Sequence, residues 1–198
     1  MIKNFVISNS MNLINGLNKY NNEQLEEIKY GLEAIYLLIT KFIVIFTLSI
    51  ILNLWKETLL FLIFFNFLRA TAFGIHASKS IYCWISSIIS FLLIPFVCKN
   101  YVLPNCFFIV ISLSCILLFS LYAPADTVKR PLINAKKRKI YKIITIITSL
   151  IYTILIFTIK NTIVKNLIIF AMILQVILIL PITYKIFKLP YNNYKNYK

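Results

Sequence analysis

Between Val102 and Lys139 the chain reads VLPNCFFIVISLSCILLFSLYAPADTVKRPLINAKKRK. The part through Tyr122 holds no charged residue, and the part after Asp126 is strongly basic. A helix rises ~1.5 Å per residue, so about 20 apolar residues cross the ~30 Å hydrocarbon core of a bilayer. An uncharged run of that length, closed by a cluster of Lys and Arg, reads as a membrane span with its cytoplasmic flank. The reading extends outward to all 198 residues, of which 60% are hydrophobic and 14% charged, with a mean hydropathy of +0.84. Soluble domains run at roughly half apolar and about 25% charged. Only 3 Gly and 6 Pro punctuate the chain, which excludes a disordered chain, a collagenous repeat and a loop-rich secreted scaffold.

Runs of spanning length fall at residues 34–54, 58–73, 81–97, 102–122, 143–159 and 163–184. The predicted fold class is therefore all-α: a polytopic membrane helical bundle of about six membrane segments. The second and third are short enough to be tilted or re-entrant. Residues 1–33 form a separate unit, in which Phe5, Val6, Leu13, Ile14 and Leu17 share one face of a broken helix. This predicts an N-terminal amphipathic helix in the membrane interface, with a surface on which a peptide could dock. The expected organisation is an amphipathic segment over 1–33, a transmembrane domain over 34–184 and a basic tail over 185–198. Met1 to Asn22 is too rich in Asn and Ser for a cleavable signal peptide. No internal repeat supports an inverted-repeat transporter.

The net charge is +15, from 21 Lys and Arg against 6 Asp and Glu. In a soluble chain this excess would point to nucleic acid. Here the cations cluster between apolar runs, which points instead to topology and to anionic headgroups, so nucleic acid is excluded as a partner. With the N-terminus inside, 16 of the 21 fall on the inner face, four on the outer, and Lys41 lies within a span. That bias predicts a cell-membrane protein with both termini cytoplasmic.

The one histidine lies in RATAFGIHASKSIYC, Arg69 to Cys83. On one continuous helix His76 and Cys83 would face the same way but stand ~10.5 Å apart along the axis. A Cys–His pair needs a hydrogen bond of about 3 Å. Gly74 allows the backbone to break just before His76, and Ser78 and Ser80 are good N-cap residues. If Ser80 caps the next helix, Cys83 is its third residue, where the helix dipole favours thiolate. Lys79 adds positive potential, and His76 can fold back to take the proton. The plainer reading is an interfacial histidine and a filler cysteine. Cys98, Cys106 and Cys115 read as small apolar packing residues. One His with scattered Cys makes no zinc set, and three glycines make no phosphate loop, so neither metal nor cofactor is expected.

After the fourth segment come Pro124, Asp126, Lys129, Arg130 and Pro131, then Lys136, Lys137, Arg138 and Lys139. The cations anchor the loop on anionic lipid. Asp126, the only carboxylate after Glu57, could cap a helix, pair with Lys129 or Arg130, or orient His76.

The run Arg69…Gly74-Ile-His76-Ala77…Cys83 resembles the signature of the accessory gene regulator B (AgrB) family, membrane-embedded cysteine endopeptidases of Gram-positive peptide quorum sensing. Ala123-Pro124…Lys129-Arg-Pro131 and the basic run after it resemble that family's central loop, and the resemblance covers nearly the whole chain. Many members carry two adjacent glycines before the histidine segment, whereas Phe73 occupies the first of these positions here.

The resemblance implies His76 as general base and Cys83 as nucleophile at the cytoplasmic face. The implied substrate is a short propeptide with an amphipathic leader and an acidic C-terminal region, which Lys129–Lys139 would attract. Cleavage through an acyl-enzyme would be followed by thiolactone or lactone closure, and a homodimer with a second copy of the chain is left open. The rival from another class is a small multi-pass peptide or anion transporter, favoured by Lys41 within a span.

Overall fold

A computed structural model describes residues 2–15, 20–75, 80–127 and 131–197. The described residues form helices and no strand: α1 (Ile2–Asn15), α2 (Asn22–Ile51), α3 (Trp55–Ala72), α4 (Ser80–Asn100), α5 (Asn105–Tyr122), α6 (Ala135–Thr158), α7 (Thr162–Ile179) and the short α8 (Pro181–Ile186), before a 3-10 turn over Asn193–Tyr197. Two compact units result, Met1–Leu48 and Ser49–Lys198.

The second unit is patterned inside out relative to a soluble bundle. Its α6 buries Thr145, Ser149, Tyr152 and Ile156, one stripe at helical spacing, while Ile143, Ile147, Leu150, Ile154 and Phe157 are exposed. Along α5 the buried stripe is Phe108, Ser112, Cys115 and Phe119, and Val110, Leu113, Leu117 and Leu121 face outward. Hydroxylated and small residues among the inward side chains, with large aliphatics outside, are expected when lipid is the solvent. Five helices, α2 and α4 to α7, are long and apolar enough to cross a membrane. The 18-residue α3, matching the second predicted segment, carries Lys56 and Glu57 at one end and Arg69 at the other. Those three charges separate it from the other five.

α7 is the hub, packing against α3, α4, α5, α6 and α8. Polar contacts fix the packing. Tyr152 Oη donates to Phe64 O at 2.9 Å, and Thr145 Oγ1 meets Thr71 Oγ1 at 2.9 Å, joining α6 to α3. Pro95 lies inside α4 and has no N–H for the carbonyl one turn back. That carbonyl, Phe91 O, accepts instead from Thr58 Oγ1 of α3 at 3.2 Å. At the end of α4, Asn166 Nδ2 donates to Cys98 O and Tyr101 O, covering carbonyls that the helix leaves open.

Several boundaries differ from the hydropathy reading, each for a local reason. The fifth segment starts at Ala135 rather than 143, because Asn134 caps it by accepting from Lys136 N and Lys137 N. The basic run is thus the first turn of a helix and not loop. The sixth ends at Ile179, because Pro181 cannot continue the hydrogen-bond ladder and starts α8. The first merges with its charged approach into one helix from Asn22.

Within the first unit, α1 buries Ile7 and exposes Phe5 and Leu13; Leu17 lies outside the described residues. A cavity of about 480 Å³ is lined by Ile7, Ser8, Met11 and Asn12 of α1 and by Lys29 and Glu33 of α2.

Candidate active site

α3 stops at Ala72 because the next two residues take backbone angles a helix cannot hold. Phe73 has φ 58° and Gly74 φ 107°. Every polar backbone group of this turn that the hydrogen bonds describe is tied down. Phe73 N donates to Arg69 O, Gly74 N to Ala125 O at 2.8 Å, and Ile75 N to Leu178 O at 3.0 Å. In return Ala125 N donates to Ala72 O at 3.0 Å, making an isolated parallel bridge between Phe73 and Ala125. The guanidinium of Arg69 donates to Phe73 O and Ile75 O, and Gln175 Nε2 reaches Phe73 O at 2.7 Å. The Phe73 ring packs edge-on against Tyr141, with centroids 5.1 Å apart.

Gly74 meets a second demand besides its φ. A Cβ there would stand 2.6 Å from Leu178 O and 2.7 Å from Arg69 Nη1. Phe73 also carries a positive φ, so backbone freedom does not rest on Gly74 alone. A bulky residue at such an angle stores strain of roughly 1–3 kcal/mol. The hydrogen bonds and the Tyr141 contact hold it there.

The helix that bears Cys83 includes Ser80, which is therefore part of the helix and not its cap. Cys83 is half-buried and lies within electrostatic reach of the Arg69 guanidinium. His76, Lys79, Lys129 and Arg130 lie outside the described residues, as does the Ser80 side chain. Of the other cysteines, Cys98 and Cys115 are buried, whereas Cys106 is exposed near the start of α5 rather than packed.

Asp126 is 1% exposed, and its carboxylate accepts three backbone N–H groups. They are Leu132 N at 3.3 Å, Asn193 N at 3.0 Å and Tyr194 N at 2.8 Å. Three such donors meet the hydrogen-bonding needs of a buried carboxylate. Pairing with Lys129 or Arg130 lies outside the described residues. Tyr184 Oη donates to Ala125 O and Asp126 O, at 3.2 and 3.1 Å. Burial pushes the Tyr184 phenol up despite the opposing pull of Arg69, and burial raises Tyr191 as well. Tyr184 therefore stays a donor through the neutral range. Arg138 donates to Leu132 O and Ile133 O and stacks 3.8 Å over the Tyr194 ring. Lys136, Lys137 and Lys139 are exposed on the first turn of α6.

The structure thus brings Arg69 and Gly74 together on one turn, with Asp126 next in sequence to the Ala125 that bridges it. It leaves Lys136, Lys137 and Lys139 at the surface beyond it.

The family model for accessory gene regulator B matches residues 6–179. The chain belongs to this family. As an AgrB-family protein it is a membrane protein of bacterial accessory gene regulator quorum-sensing systems. It is 36% identical over 174 residues to a putative AgrB-like protein of Listeria welshimeri serovar 6b, covering 87% of this chain and 84% of that one. A putative AgrB-like protein of Clostridium acetobutylicum is 34% identical over 176 residues, covering 88% and 84%. The accessory gene regulator protein B of Staphylococcus aureus strain Newman is 33% identical over 139 residues, covering 69% and 74%. No solved structure matches.

In this AgrB-family chain, sequence reasoning missed Gln175 and Tyr184. Gln175 carried a signal. It is the lone amide in the run AMILQVILIL, and a polar side chain at that depth is costly unless partnered. Tyr184, at the end of an apolar run, carried none.

Proposed function

We propose that the chain is a cysteine endopeptidase that matures a cyclic signalling peptide, with Cys83 as nucleophile and His76 as general base. One observation carries the reading. Arg69 lies within electrostatic reach of Cys83 and, with the same guanidinium, holds the carbonyls of Phe73 and Ile75, the backbone that leads into His76. The clamped turn fixes where the histidine leaves the backbone.

His76 takes the Cys83 proton, and Sγ attacks the scissile carbonyl carbon of a propeptide. The C–N bond breaks, the leaving amine receives the proton from His76, and a thioester joins the N-terminal part of the peptide to Cys83. An internal thiol or hydroxyl of that part then gives its proton to the now neutral His76 and attacks the same carbonyl. The C–S bond to Cys83 breaks, closing a thiolactone or lactone and returning the thiolate. Water must be disfavoured at this second step, since hydrolysis would give a linear product. Lys79 and Ser80 supply positive potential and open amides beside Cys83.

The substrate in this reading has an amphipathic leader and an acidic C-terminal region. The leader fits the cavity between α1 and α2, with apolar contacts from Ile7 and Met11 and polar ones from Lys29 and Glu33. The acidic region is drawn to Lys129, Arg130, Lys136, Lys137 and Lys139. Both termini and the site then lie on the cytoplasmic face of the cell membrane, as the distribution of cations suggests. A second copy of the chain belongs to the same proposal, as does the division into 1–33, 34–184 and 185–198.

The test is cleavage of a synthetic propeptide by protein reconstituted in liposomes. Cys83→Ala and His76→Ala should each abolish cleavage with insertion intact, and replacing Cys98, Cys106 and Cys115 together by Ala should retain most of it. Full cleavage by either single variant overturns the assignment.

A further inference from the structure

The residues after α8 do not trail away from the bundle. Leu189 N donates to Tyr184 O at 2.8 Å, the Tyr191 ring stands edge-on to Tyr184 at 5.1 Å, and Asn193 Nδ2 bonds Pro190 O at 2.9 Å. Asn193 is 2% exposed. The segment then delivers two backbone N–H groups, from Asn193 and Tyr194, to the Asp126 carboxylate. Arg138 of α6 closes over Tyr194 from the other side.

Burying a carboxylate costs several kcal/mol unless its hydrogen bonds are met. Two of the three donors that meet them come from this segment. Removing it strips the carboxylate and unsettles Asp126. Asp126 adjoins Ala125, whose N–H and C=O are the two groups that hold the α3–α4 turn, at Ala72 O and Gly74 N. Tyr184 ties Ala125 O and Asp126 O to the same assembly. A hydrogen bond from Tyr194 to Asp126, the peptide link from Asp126 to Ala125, and the hydrogen bond from Gly74 to Ala125 O therefore connect the segment to Gly74, two residues before His76.

We propose that residues 189–194, latched by Asp126, form a strap that positions the catalytic turn, with Asp126 as a positioning residue. The idea rests on the peptidase reading for its kinetic consequence, but its structural half concerns the turn and the thiol beside it. A strap that only added stability would change how much protein folds and leave turnover per folded molecule alone. A positioning strap lowers kcat more than it changes KM, because the reacting groups are displaced.

Three proteins test this in liposomes: the full chain, a variant ending at Lys188, and full-length Asp126→Asn, each counted by folded protein. Cleavage of a synthetic propeptide with an amphipathic leader and an acidic C-terminal region is followed beside alkylation of Cys83 by N-ethylmaleimide, with the other three cysteines replaced by Ala. The shortened chain should lose about tenfold or more in kcat, with KM within about twofold. Its Cys83 should alkylate at a rate that differs by at least about threefold at pH 7, as the turn clamped by Arg69 loosens.

A synthetic peptide of residues 189–198 added in trans should restore both rates, and should fail to do so when the shortened chain also carries Asp126→Ala. Asp126→Asn, which turns an acceptor into a donor, should show the same loss with the strap still attached. Wild-type kcat and alkylation in Asp126→Asn or in the shortened chain overturn the proposal. So does rescue that survives Asp126→Ala, or losses that the peptide never restores. If the full chain fails to cleave while alkylation follows the pattern above, the strap stands and the peptidase reading falls.

Discussion

Any side chain larger than hydrogen at position 74 meets a carbonyl, a guanidinium and a backbone angle at once. The φ of 107° disfavours L residues, and a Cβ would press on Leu178 O at 2.6 Å and on the Arg69 guanidinium at 2.7 Å. Leu178 O is backbone and accepts from Ile75 N, so it cannot yield without loosening the turn. Gly74→Ala should therefore cost about 3 kcal/mol of local stability from strain and overpacking together. Propeptide cleavage should fall by more than about tenfold while helix content in detergent changes little. Wild-type cleavage by this variant would mean that the turn does not set the site.

Gly74 was legible in the sequence, since a glycine before the one histidine marks a place where a helix can break. The partners of Asp126 were not. Its donors Asn193 and Tyr194 lie 67 and 68 residues away and act through backbone N–H groups, which leave no mark in side-chain chemistry. Phe73 hid its own role, because nothing in a phenylalanine announces a positive φ.

Among the helices, the Pro95 carbonyl gap gives the sharpest test of packing. Thr58 Oγ1 serves Phe91 O because Pro95 cannot. Thr58→Val keeps the shape and removes the donor, and should destabilise by about 1 kcal/mol in mixed-micelle unfolding. In a Pro95→Ala background Phe91 O regains a helical donor, so the same substitution should cost close to nothing. Equal costs in the two backgrounds would show that the bond contributes nothing to stability.

Helix existence was readable from apolar runs, whereas helix ends depended on single residues. Asn134 and Asn161 cap α6 and α7 by accepting from the amides two and three residues on. Pro181 ends the sixth run early. Hydropathy averages over those residues and so placed the basic run in a loop.

At the level of the whole molecule, cations crowd the first turn of α6, where the helix dipole opposes them. Ala135–Lys139 holds Lys136, Lys137, Arg138 and Lys139, and only Arg138 is seen engaged by neighbouring carbonyls and a ring. A sequence arranged for helix stability alone would place acids there. The arrangement suits orientation in the membrane and attraction of an acidic peptide. Replacing Lys136, Lys137 and Lys139 with Gln should weaken cleavage severalfold at low salt, and the difference should shrink toward 1 M, where the screening length is about 3 Å. Unchanged cleavage at every salt concentration would remove electrostatic attraction from the account.

The central claim is that Cys83 carries the peptide between cleavage and ring closure. The most direct measurement is intact mass of the reconstituted protein after reaction with a synthetic propeptide whose internal Cys or Ser is replaced by Ala. Without that nucleophile the acyl-enzyme should accumulate. The account predicts an added mass equal to the N-terminal part of the peptide, located on Cys83, released by hydroxylamine and absent in His76→Ala. Cleavage at the wild-type rate with Cys83 unmodified throughout would contradict it.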